Sequence, residues 1–161
     1  LSSVDAIAAT TRRILSAIAN VSSQVQVIFT VSPVRHTKDG FVENQRSKAH
    51  LLAGMHQVLD ESQHTAYFPS YELMMDELRD YRFYDRDLIH PNALAVDYIW
   101  ERFSSVYFSE ETQKTMQKVQ EIQRGLAHKP FNPDSEAHQR FLRNLEAKKR
   151  ALQVDFPHIQ F

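Results

Sequence analysis

The sequence predicts an α/β chain in which a few parallel strands sit among many helices and a helical hairpin closes the chain. Three observations predict it. Two short β-rich segments, "VQVIFTVSPV" at 25–34 and "TAYFPS" at 65–70, stand on either side of a helical pattern, the order of a βαβ unit. Apolar positions elsewhere recur at helical spacing. Residues 109–153 hold no strand candidate and two amphipathic helical patterns.

The elements follow in order. After Ser3 as a cap, Val4, Ile7, Ala8, Ile14, Leu15 and Ile18 form one stripe of a first helix. The segment 25–34 is apolar on both faces, as a buried parallel strand is, and Pro33 ends it because proline has no N–H to give a ladder. A loop with its turn at Asp39-Gly40 leads to a helix from Ser47 to Leu59 that buries Leu51, Leu52, Met55, Val58 and Leu59. The second strand precedes a short helix over Tyr71 to Leu78, with Met74 and Met75 in the core. From Asn92, Val96, Ile99, Trp100, Phe103 and Val106 give a further helix a broad apolar face. Two more helices are broken apart by Pro130 and Pro133, with Asp134 or Ser135 as the second cap. The expected domains are 1–108 for the α/β part and 109–161 for the hairpin. Two parallel strands do not make a covered sheet alone, so either the chain is mainly helical or further strands precede Leu1, and the second is the expectation.

Composition narrows the function. Hydrophobic residues at 42% and charged residues at 24% are ordinary globular usage, and no apolar run has the length of a bilayer span, so no membrane role is expected. A net charge of -1 supplies no field for a polyanion, and no nucleic-acid partner is expected. The lack of cysteine excludes disulfides and thiolate chemistry and favours a reducing, cytoplasmic compartment. Three scattered glycines make no phosphate loop, and no cofactor is expected.

The chemistry-bearing residues crowd into "YDRDLIHP", 84–91. A histidine acting as general base needs one ring nitrogen held by an acceptor so that the other faces the nucleophile. Asp87 stands three residues before His90, and Pro91 favours an extended His90 at the entrance of the next helix. Leu88 and Ile89 are expected to anchor the loop in the core. The competing reading makes Asp87 and His90 a helix cap with salt bridges. A second constellation, Arg35, His36 and Lys38, follows a strand end, where parallel sheets collect ligands. Arg35 and His36 are the expected substrate-binding residues, and a solvated loop is the alternative. A metal set of Asp85, Asp87, His90 and His36 is the chemical rival, though its spacing matches no strong metal motif.

Together, "VSPVRHTKDGFVENQRSKAHLL", "YFPSYELMMDELRDYRFY" and "DLIHPNALAVDYIW" resemble the C-terminal part of the GSCFA family, itself similar to SGNH hydrolases, and "HKPFNPDSEAHQRFL" resembles that family's helical tail. The resemblance implies a flavodoxin-like three-layer α/β/α fold and ester hydrolysis by a serine nucleophile, with His90 as base and Asp87 as its orienter. The implied partner is a small-molecule or glycan ester. The Gly-Ser-Cys-Phe-Ala stretch that names the family does not occur in this sequence, and Ser22-Ser23 and Ser104-Ser105 lack its glycine context. The nucleophile is therefore expected upstream of Leu1, and the chain by itself is expected to be inactive. A non-catalytic helical interaction module is the alternative function. An uncovered sheet edge or the C-terminal helices would support a homo-oligomer.

Overall fold

Two strands, Val27–Phe29 (β1) and Thr65–Tyr67 (β2), pair in parallel, with Val27 opposite Thr65 and Phe29 opposite Tyr67. The computed structural model describes residues 1–161, and the chain divides into two compact units, Leu1–Phe103 and Ser104–Phe161.

In the first unit, Val4–Val21 (α1) starts at Ser3, whose hydroxyl accepts from the Ala6 amide. Its buried positions are Ala8 and Thr11, with Val4, Ile7, Leu15 and Ile18 half-buried, while Ile14 is 46% exposed. Thr11 can be buried because its hydroxyl is satisfied inside the helix by the Ile7 carbonyl at 2.9 Å. The crossover helix, Phe41–Leu59 (α2), begins earlier than the expected start at Ser47. Gly40 makes that start: its φ of 108° closes a turn onto the Thr37 carbonyl, a conformation in which a side chain would be strained. Gly54 serves contact instead. A Cβ there would lie 2.7 Å from the Val4 carbonyl oxygen and 2.8 Å from Ile7, so α1 and α2 meet at backbone distance.

The strands are shorter than the sequence predicts. β1 has β2 as its single neighbour, so residues 30–34 find no ladder to join, and Ile28 is exposed rather than buried on both faces. The Phe29 side packs with α1 and α2 through Ile7, Leu51, Met55 and Leu59. Ile28, on the other side, shares an apolar hollow with Val96, Ile99, Trp100 and Phe103 of Ala93–Tyr107 (α4). Helices thus stand on both faces of the sheet.

After β2, Ser70–Glu72 (α3) widens into a π-turn over Leu73–Glu77, with the Leu78 amide bonded to the Leu73 carbonyl. The wider turn brings Met74 and Leu78 into one buried cluster with Tyr84 and Ala95. A 3-10 turn, Tyr81–Phe83, follows under an Asp80 cap. Within the charged stretch 76–87, Leu78 and Tyr84 are core. Trp100, by contrast, is 50% exposed, and Val96 and Val106 are open too; the apolar face of α4 extends beyond what these residues cover.

In the second unit, Glu110–Ala127 (α5) and Glu136–Asp155 (α6) are capped by Ser109 and Ser135, and pack through Ile122, Leu145 and Leu152. Pro130 and Pro133 lie in their connection. No helix is long and apolar enough to cross a membrane.

Candidate functional site

Residues 84–91 form a small closed hairpin. Tyr84 and Pro91 bridge in antiparallel fashion, the Asp85 amide donates to the His90 carbonyl at 2.8 Å, and the Leu88 amide returns to the Asp85 carbonyl at 2.9 Å. Asn92 locks the base: its side-chain amide donates to the carbonyls of Arg82 and Tyr84, and its Oδ1 accepts from the Ala95 amide and so caps α4. Asp87 and His90 therefore do not cap that helix. Pro91 lies outside it, in the bridge.

The chain turns at Leu88, the only non-glycine residue with positive φ, at 58°. Leu88 is 49% exposed, which corrects its expected role as a core anchor; only Ile89 is partly buried. A residue with a Cβ is strained here. The strain has a structural return. With Leu88 left-handed, the amides of Ile89 and His90 both reach Asp87 Oδ1, at 2.8 and 3.0 Å. Oδ2 is then left for the imidazole, and His90 Nδ1 lies 2.7 Å from it. Each oxygen of one carboxylate thus has its own task, ordering the backbone or aiming the ring.

These contacts hold the Asp87 carboxyl down at about 2, through the His90 amide first, then the His90 ring and the Ile89 amide. An ionised Asp87 is an acceptor, so His90 carries its proton on Nδ1 and turns Nε2 outward as the basic nitrogen. The side chain of His90 is 59% exposed and Nε2 has no hydrogen-bond partner in the chain. Neither Ser22 nor Ser23 is bonded to it.

Arg35 reaches this hairpin from the loop after β1. Its amide donates to the Ile89 carbonyl at 3.3 Å, its guanidinium donates to the Leu88 carbonyl at 3.1 Å, and the guanidinium lies over the Tyr84 ring at 4.3 Å. Stacking of this kind suits arginine, whose flat cation is weakly hydrated. Sequence reasoning placed Arg35 near a site but missed that it holds the histidine loop. His36, the next residue, has other partners: its ring pairs with Asp39 at 3.3 Å, and its amide donates to Asn44 Oδ1. Asp85, Asp87, His90 and His36 do not assemble as a ligand set, and no cluster of three or more potential metal ligands exists in the chain.

Lys48 was not singled out from sequence. It is buried on α2 at 8% exposure, and its ammonium donates to the Ser32 carbonyl. Burial lowers its pKa from the usual lysine value. Its only signal in the sequence is a lysine on the inward stripe with Leu51, Leu52 and Met55.

Comparison with known proteins adds two matches. The sequence model of the GSCFA family matches residues 1–103, and that of the GSCFA domain protein C-terminal domain matches residues 119–161. Neither a curated protein nor a solved structure matches the chain.

Proposed function

Since the chain belongs to the GSCFA family, we propose that Asp87 and His90 are the base half of a serine ester hydrolase of SGNH type. The observation that carries this reading is the 2.7 Å bond from His90 to an ionised Asp87, with the opposite ring nitrogen unpartnered and facing solvent. The flavodoxin-like three-layer fold belongs to the same reading, and helices on both faces of a parallel sheet support it.

The chemistry divides as follows. His90 Nε2 takes the proton of a serine hydroxyl as its oxygen attacks the ester carbonyl. Asp87 fixes the ring and stabilises the imidazolium without becoming protonated. Collapse of the tetrahedral intermediate breaks the carbon–oxygen bond to the alcohol, which receives the proton from His90. Water, deprotonated by the same nitrogen, then releases the acid. The serine and the oxyanion donors come from outside these 161 residues. Arg35 is a positioning residue, because one of its guanidinium N–H groups holds the Leu88 carbonyl.

The test is hydrolysis of acetyl esters by the full-length protein. His90→Ala is expected to lower kcat by about 10²- to 10⁴-fold with little change in folding. Activity undiminished by that change removes the reading. It would then favour a non-catalytic interaction module, whose support is the separate apolar core of α5 and α6; that reading expects function to be lost with residues 109–161 and kept in His90→Ala.

A further inference from the structure

A second cavity of about 320 Å³ lies on the α2 side of Arg35, between the loop after β1 and the start of that helix. Its polar lining is Arg35, Asn44, Gln45, Lys48, Tyr71 and Tyr81, and it contains no carboxylate.

The hydrogen-bonding roles of these groups are largely fixed by their other partners. Asn44 Oδ1 accepts from the His36 backbone amide, which only an oxygen can do, so its NH2 is the free end. The Gln45 oxygen accepts from the Tyr71 hydroxyl at 3.1 Å, which again leaves an NH2. Lys48 uses one of its three N–H groups on the Ser32 carbonyl and has no acidic partner. Arg35 uses one of its five on the Leu88 carbonyl. What remains unspent around the cavity is a set of donors and two positive charges. A buried ammonium without a counter-charge is costly, and an anion would repay that cost.

We infer that this cavity binds a small oxyanion, the carboxylate or phosphate group of a small molecule, between Lys48 and Arg35. The inference stands apart from the hydrolase reading, since it is read without cleaving any ester. It has a consequence for the histidine loop. An anion drawn to Arg35 acts on the residue that bonds the Leu88 and Ile89 carbonyls, so occupancy is transmitted to the hairpin that carries His90.

The experiment is a titration of the intact, isotope-labelled chain with inorganic phosphate and, separately, with acetate, followed by amide NMR. Saturable shifts are expected at the Asn44 and Gln45 side-chain amides and at the Leu88 and Ile89 backbone amides. Tighter binding of phosphate or of acetate identifies which oxyanion the site takes. Lys48→Met is expected to weaken binding at least tenfold. Arg12→Gln, which removes one positive charge at the Glu61 pair outside the cavity, is expected to leave it unchanged. Should Lys48→Met fail to fold, the Asn44→Ala, Gln45→Ala double variant is expected to lose affinity by a similar factor. The inference is overturned if neither anion gives saturable shifts at these residues, or if Arg12→Gln weakens binding as much as the cavity variants do.

Discussion

Asp87 makes three hydrogen bonds from one small side chain, and removing them separately distinguishes their effects. Asp87→Asn keeps the shape but puts an NH2 where one oxygen stands, so either the backbone amides or the ring loses its acceptor. The full-length protein carrying it is expected to lose about 10⁴-fold in kcat, the scale seen when a triad carboxylate becomes an amide, with little change in KM. Steady-state kinetics checks this, and a change confined to KM would contradict it. The same carboxylate sets a pH window. Its folded pKa, about 2, lies below the unfolded value of roughly 3.9. Its contribution to loop order is therefore fully present above about pH 4 and is lost as pH falls toward 2. Amide shifts of Ile89 and His90 followed through acid titration are expected to move together in that interval. Arg35→Met removes both the Leu88 bond and the stack on Tyr84. It is expected to shift the Leu88–His90 amides and to lower kcat, and Arg35→Lys is not expected to rescue, because an ammonium does not stack as a flat guanidinium does.

At the scale of elements, close contact between α1 and α2 depends on Gly54. Gly54→Ala drives a methyl into backbone and is expected to cost about 1–3 kcal/mol, measurable by urea denaturation. In the second unit, Ile122 is fully buried against Leu145 and Leu152, and Ile122→Ala is expected to cost about 2–5 kcal/mol. The elements also show which features were legible beforehand. Helices with local punctuation were read well: Ser3 caps where expected, Ser135 is the cap of the two candidates Asp134 and Ser135, and the helix after Asn92 begins within a residue of its place. Strand length was not legible, because it depends on neighbours, and β1 has one. The α2 start was hidden because the Gly40 turn was read as mid-loop. For the site, the spacing of Asp87 and His90 was visible, but the left-handed Leu88 that makes the spacing work was not. Nothing in a leucine announces positive φ. Arg35 and Lys48 were obscured for the opposite reason: their roles are set by carbonyls far away in sequence, those of Leu88 and Ser32.

At the scale of the whole chain, the open edge of β1 and the exposed apolar residues of α4 are expected to govern association in solution. Ile28, Val96 and Trp100 are each exposed around one apolar hollow. Unpaired edges and contiguous apolar surface both favour association. Light scattering of the isolated chain is expected to show dimers or larger species, and Trp100→Lys is expected to shift them toward monomer. Monodisperse monomers for the unaltered chain would count against this.

The hairpin of residues 84–91 also has a history within each folding event. The bonds that aim His90 join residues at most three apart, whereas the bond that fixes where the hairpin sits, from Arg35 to Leu88, spans 53 residues. Short loops close much sooner than long ones. The histidine is therefore expected to be aimed before it is located. In pulse-labelled hydrogen exchange during refolding, the Ile89 and His90 amides gain protection ahead of the Arg35 amide, so the ring finds its proton acceptor while its final address in the molecule is still unformed.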